Sequence, residues 1–147
     1  MQFTSELYNE DTFYKKFYKD LTNCKNELII ESPYITKKRI NTLQENFLSL
    51  LKSRTKIYII TRDPSEHRSD MAIQSEKAIQ WCESVGIQVL ICKGSHHRKI
   101  AILDRKILWE GSLNVLSQTN SREIMRRIEG EPFANEMLKY LGISVFF

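Results

Sequence analysis

A short stretch in the second half of the chain combines residue types that can handle a phosphate group. In order and spacing, its members are His97-x-Lys99, then Asp104, then Gly111-Ser112-x-Asn114. A neutral imidazole such as that of His97 can attack phosphorus and form a phosphohistidine, which divides one difficult displacement into two easier ones. Lys99 offers a point charge to the non-bridging oxygens, and Asn114 offers an uncharged amide donor to the same atoms. Gly111 and Ser112 predict a tight bend where backbone and hydroxyl can approach the phosphate. The stretch therefore indicates phosphoryl chemistry.

This spacing resembles the HxKxxxxDxxxxxxGSxN motif of the phospholipase D superfamily, and no specified position is substituted. Six specified residues in a chain of this length would match by chance only about a few times per million. The resemblance implies catalytic roles for His97, Lys99, Ser112 and Asn114. Asp104 is included in the catalytic set as a member of the motif, although the resemblance implies that this aspartate lies away from the reacting phosphorus in a structural role. It also implies a single phospholipase D-like domain over residues 1–147.

Glu123 is a further candidate for the catalytic set. Single-motif nucleases of the superfamily carry a glutamate roughly ten residues beyond the asparagine, and Glu123 lies nine beyond Asn114. A carboxylate there could orient the imidazole and stabilise its protonated form. The alternative is a strand-end glutamate that neutralises Arg126 or Arg127. Arg126 is also predicted to bind substrate.

Four other residues near or outside the motif are weighed for a role at the site. Ser32 and Tyr34 follow a buried-strand pattern at a position that resembles the superfamily's first strand and loop. They could line the groove or serve turn and core roles. His67 and His96 are interpreted as surface residues.

The elements around the motif predict an α/β fold. The pattern of apolar residues favours a mixed, mostly parallel sheet flanked by helices on both faces. Strands are predicted at 27–32, 56–61, 86–93 and 123–128 with a hairpin over 98–112, helices at 12–24, 38–53, 71–86 and 136–141, and a mobile loop at 62–71.

Composition narrows the class of protein. The 147 residues are 41% hydrophobic and 27% charged, as expected for one soluble globular domain. No stretch of about 18 apolar residues and no signal-like N-terminus is found, so we expect neither a membrane span nor secretion.

The three widely spaced cysteines lack a CxxC pair, which favours reduced thiols in a reducing compartment and a cytoplasmic location. No metal or other cofactor is predicted, because Lys99 and the amides can neutralise the phosphate and acidic clusters are absent around the motif.

Charge is concentrated near the motif. The chain is +4, and residues 93–127 alone carry eight basic and three acidic residues, a net +5. This could be a solvated basic face or a positive field for an anionic substrate, and composition favours neither.

One motif copy per chain predicts a homodimer. The two-step reaction needs an attacking imidazole and a proton donor, and a two-fold axis through the site would supply both. The turn at Gly111–Ser112 would lie in the interface, where Leu113, Val115 and Leu116 could add apolar contact or could instead belong to the core of one subunit.

The resulting hypothesis is a metal-independent nuclease that acts on nucleic acid, DNA more than RNA. One alternative is a phospholipase or phosphatidyl transferase, which would need a membrane-facing element that the sequence does not suggest. The other is a non-catalytic or latent DNA-binding module with a helicase or ATPase as partner or parent chain, because ILWEGSLNVLS resembles phospholipase D-type domains appended to such enzymes.

Overall fold

The computed structural model describes residues 2–117 and 120–142, and these build one seven-stranded sheet. The strands are Thr4–Asn9 (β1), Glu27–Glu31 (β2), Lys56–Arg62 (β3), Gln88–Cys92 (β4), Ile100–Leu103 (β5), Ile107–Gly111 (β6) and Ile124–Glu129 (β7). Their order across the sheet is β1-β7-β6-β5-β2-β3-β4. The predicted α/β class with a mixed sheet is confirmed.

The sheet is less parallel than predicted. Within the described residues, β2–β3 and β3–β4 are the two parallel pairs, and the other four pairings are antiparallel. Connection length explains the parallel pairs and one of the antiparallel pairs. Helices connect β2, β3 and β4, whereas β5 and β6 are joined by a tight turn, which gives only antiparallel neighbours.

Helices cover both faces of the sheet, as predicted. They are Phe13–Asn23 (α1), Lys37–Lys52 (α2), Ser69–Ser84 (α3) and Glu131–Leu141 (α4). The larger core combines residues from α1, α2 and α3 with one sheet face, and the smaller core lies between α4 and the other face. In α2 the buried residues Ile40, Leu43, Phe47 and Leu50 follow the predicted helical spacing.

Three local predictions are corrected. The segment 62–71, predicted as a loop, contains a 3₁₀ turn at Pro64–Glu66 and the first turn of α3. Helix α4 begins five residues earlier than predicted, with a proline in its first turn, where the missing N–H costs nothing. Strand β1 was not predicted, because this edge strand is almost wholly exposed and has no apolar alternation.

The three cysteines are free thiols, and burial raises the pKa of Cys24 and Cys82 to about 12. Among the described helices, none has the length and apolar character needed to span a bilayer.

Candidate active site

The motif residues gather at the side of the sheet where several strands begin or end, which we call the site edge. Strand β5 begins, β6 ends and β7 begins at this edge, which also holds the carboxyl end of β2. The Gly111 N–H donates to the Lys99 carbonyl at 3.4 Å, so the two halves of the motif are adjacent.

His97 and Lys99 lie in the segment that leads into β5. His97 is exposed and Lys99 is half-buried. The Lys99 ammonium donates to the His97 backbone carbonyl at 2.7 Å, which ties the segment together. An ammonium has three donors, so two remain available for phosphate oxygens.

A buried carboxylate holds this segment from behind. Glu31, the last residue of β2, is buried and accepts a hydrogen bond from Arg98 Nε at 3.0 Å. Its Oε1 also contacts His96 Nε2. These partners lie on either side of His97 in the chain, so Glu31 fixes the backbone that carries the imidazole.

The expectation that His96 is a surface residue is therefore wrong, since its side chain is only 9% exposed. Burial lowers the pKa of His96, and Glu31 opposes that shift. Sequence reasoning missed Glu31, although an acidic residue at the end of the apolar run LIIE was a usable indication.

The Gly111–Ser112 turn is joined to β7. The Ser112 N–H donates to the Ile124 carbonyl at 2.9 Å, and the Ile124 N–H donates to Ser112 Oγ at 3.0 Å. A Cβ on Gly111 would lie 2.2 Å from the Ile124 carbonyl oxygen. Glycine is thus required here by the close approach of the β7 backbone, a reason that the motif spacing did not reveal.

Asn114 lies in a loop that is held by the β2–α2 connection. Its Oδ1 accepts from the Tyr34 N–H at 3.4 Å, and its carbonyl accepts from the Ser117 N–H at 3.1 Å. Ser32 is fully buried and its hydroxyl accepts from the Leu116 N–H at 3.2 Å. Of the two open interpretations for Ser32, the structure supports the core role, and Tyr34 is half-buried beside the site.

Of the two interpretations of the apolar residues after the turn, the structure supports the core of one subunit. Leu113, Val115 and Leu116 are fully buried in the larger core of their own chain.

Glu123 immediately precedes β7, next to Ile124 and therefore to Ser112. Its carboxylate accepts a hydrogen bond from the Ser121 hydroxyl. Its backbone N–H donates to Glu10 Oε1 at 2.7 Å, and this bond is the main reason that the pKa of Glu10 is lowered. The position at the site edge agrees with the predicted one, and its role toward the imidazole stays a prediction.

Asp104 does not reach this edge. It follows the last residue of β5, at the opposite end of the sheet, and accepts from the backbone N–H groups of Lys25, Asn26 and Glu27 at 2.9, 2.7 and 3.0 Å. Burial would raise the pKa of Asp104, but these backbone donors outweigh it and the pKa is lowered. Asp104 therefore joins the α1–β2 connection to the β5–β6 turn and is removed from the catalytic set, in line with the structural role that the resemblance implied.

The basic segment does not form one patch at the site. Arg105 pairs with Glu27 at the far end of the sheet at 3.0 Å, and Arg127 is buried against Asp20. Arg126 is exposed on β7 and donates to Ser5 Oγ at 3.1 Å, so its predicted contact with substrate stays a prediction. Two arginines outside the segment, Arg62 and Arg68, line a cleft near Tyr34 and were missed.

Comparison with known proteins identifies the fold. Residues 17–142 match a family described as "Cardiolipin synthase, PLD-like domain". The structure is similar to NucT from Helicobacter pylori, with a TM-score of 0.73 and 16% identity over 95% of this chain and 93% of that one. It is also similar to Nuc from Salmonella typhimurium, a phospholipase D family member, with a TM-score of 0.76 and 14% identity over 95% and 91%.

A larger protein shares the fold over part of its length. Phosphatidylserine synthase from Haemophilus influenzae matches with a TM-score of 0.63 and 14% identity, over 88% of this chain and 35% of that one. No curated protein sequence matches the chain at a significant level.

Proposed function

The chain belongs to the family of phospholipase D-like domains, and from this premise we propose that it is a metal-independent phosphodiesterase that cleaves nucleic acid through a phosphohistidine. The observation that carries the proposal is the position of an exposed His97 at one sheet edge with Lys99, Ser112 and Asn114. A nucleophile and three donors for phosphate oxygens thus share one surface.

In the first step, the His97 imidazole nitrogen attacks phosphorus. The P–N bond forms as the bond to the leaving oxygen breaks. A second imidazole, which is protonated, gives its proton to that oxygen. Lys99 and the Asn114 amide stabilise charge on the non-bridging oxygens. In the second step, water attacks the phosphohistidine, the P–N bond breaks, and the second imidazole, which is neutral after the first step, accepts the proton of the water.

The second imidazole would be His97 of the partner subunit in a two-fold dimer. Exposure supports this arrangement, because His97, Gly111 and Ser112 all lie open at the sheet edge. Ile124, which is 58% exposed beside Ser112, offers an apolar contact that Leu113, Val115 and Leu116 cannot. The interface would therefore be centred on the β6–β7 edge of the site.

A lipid substrate is the second candidate. It is favoured by the name of the matched family, cardiolipin synthase, and by the shared fold of phosphatidylserine synthase. Both reactions would use the same imidazole and the same donors, so the substrate class must be decided by assay.

The test is a panel of substrates with EDTA present in every reaction. It contains labelled single- and double-stranded DNA, RNA, bis(p-nitrophenyl) phosphate and phosphatidylglycerol vesicles, and it compares the wild type with His97→Ala. Lys106→Ala is the matched control, because this exposed cation lies in the β5–β6 turn at the opposite end of the sheet. We expect cleavage of nucleic acid by the wild type and the control and none by His97→Ala. Turnover only in a parallel series in which magnesium replaces EDTA, or only on vesicles, would contradict the proposal.

A further inference from the structure

A cleft beside the candidate active site has no part in the chemistry described above. Its volume is about 370 Å³, within the range typical of small-molecule sites. Two rings, Tyr34 and His67, and two cations, Arg62 and Arg68, are among the residues that line it.

Hydrogen bonds connect the residues that line the cleft to both halves of the catalytic motif. On one side, the Tyr34 N–H donates to Asn114 Oδ1 at 3.4 Å. On the other side, the Glu66 carboxylate accepts from the Gly94 and Ser95 N–H groups at 2.8 and 3.1 Å, shortly before His97 in the chain. A group bound in the cleft would thus lie next to a phosphate held by Lys99 and Asn114.

The two rings already form a stack. Their centroids are 4.7 Å apart and their planes are inclined by 26°. Burial is the largest cause that lowers the pKa of His67, and the charge of Arg62 acts in the same direction, so both favour the neutral ring. A neutral aromatic pair of this kind can be extended by a further planar ring.

The charges that line the cleft balance. Arg62 is paired with Glu66 at 2.9 Å, and the exposed Arg68 is offset by the exposed Asp70 in the first turn of α3. A second phosphate would therefore gain little electrostatic attraction in this cleft, whereas a neutral planar group does not depend on such attraction.

We infer that the cleft is a subsite for an unpaired nucleobase, which stacks on the Tyr34–His67 pair while the adjoining phosphate of the same strand lies at His97 and Lys99. This inference rests on the proposed nuclease function and adds the substrate class. A base that enters the cleft must leave its own helix, so the protein prefers single-stranded nucleic acid to duplex.

The test compares cleavage of three single-stranded oligonucleotides. One carries normal bases throughout, and each of the other two carries one abasic residue, on the 5′ or on the 3′ side of the cleaved bond. Loss of one base–aromatic stack corresponds to roughly 5- to 150-fold in kcat/KM. We expect the wild type to favour the complete oligonucleotide by a factor in this range and to favour it over the duplex of the same sequence.

Variants separate stacking from structural effects. His67→Ala should bring the ratio of the two rates close to one, and His67→Phe, which keeps a ring, should restore it. Tyr34→Leu removes the other ring but keeps the backbone N–H that binds Asn114, and it should also lower the ratio. Tyr140→Ala is the matched control, because this highly exposed ring lies on α4.

The outcomes distinguish the two proposals. Equal cleavage of complete and abasic strands by the wild type, or His67→Ala slowing both equally, would overturn the subsite alone. A wild type that cleaves no nucleic acid would overturn the nuclease function and the subsite with it.

Discussion

Removal of the Asp20 carboxylate should destabilise the fold far more than removal of any exposed acid. Asp20 lies on α1 and receives two hydrogen bonds from Arg127 on β7, both of 2.8 Å. The indole N–H of Trp109 on β6 donates to the same carboxylate at 2.8 Å. Asp20 is 3% exposed and Arg127 is 5% exposed, so solvent does not screen the pair.

The magnitude follows from these contacts. Removing one partner of a buried ion pair costs about 3–5 kcal/mol, because the other charge remains buried. An unsatisfied indole N–H adds about 1–3 kcal/mol. Glu129, 3.2 Å from Arg127, and Glu6, at 3.6 Å, retain part of the attraction, and effects within one network are not additive. For Asp20→Ala we therefore expect a loss of about 4 kcal/mol, out of about 5–15 kcal/mol for a typical domain.

Urea unfolding monitored by tryptophan fluorescence measures this free energy of unfolding, and a thermal scan should show a Tm lower by roughly 8–16 °C. Glu129→Ala is the matched control, since this exposed carboxylate contacts the same arginine and should cost less than about 1 kcal/mol. A loss below about 1 kcal/mol for Asp20→Ala would refute the assignment of Arg127 to the core.

Three other outcomes are expected. Equal mixing of wild type with His97→Ala, after subunit exchange, should reduce activity to about a quarter if the site is shared, because only wild-type homodimers then act; a fall to about half would exclude a shared site. Gly111→Ala should lower stability by about 1–3 kcal/mol in urea unfolding, because its Cβ meets the Ile124 carbonyl, and an unchanged midpoint would contradict that contact. Hydrogen bonds from the Gly94 N–H, from Arg62 and from the Ser95 N–H lower the pKa of Glu66 from 4.5 to about 2. The wild type should therefore lose stability as pH falls through this interval, and Glu66→Gln should lack that part of the loss in acid titrations, whereas parallel titration curves would argue against it.

Much of the local structure could be predicted from the sequence, because it depends on periodicity within one segment. The apolar spacing of α2 and the β-branched runs of β2 and β3 specify those elements directly. Strand β1 carries no such pattern, since it is stabilised by pairing with β7, more than a hundred residues away.

The sequence by itself predicted the residues of the candidate site, because His97, Lys99 and Asn114 lie in one short segment whose spacing is local. Only the tertiary structure decided which distant residues hold the site segment and the core in place. Glu31 reaches Arg98 across 67 positions, and Asp20 reaches Arg127 across 107. Asp104 has motif spacing but lies far from the site, because Lys99 precedes β5 and Asp104 follows it, at the opposite end of the strand. The stack of Tyr34 on His67 likewise depends on two separate loops that meet at one sheet edge. Such partners are set by strand order and register, which bring together side chains that no spacing along the chain relates.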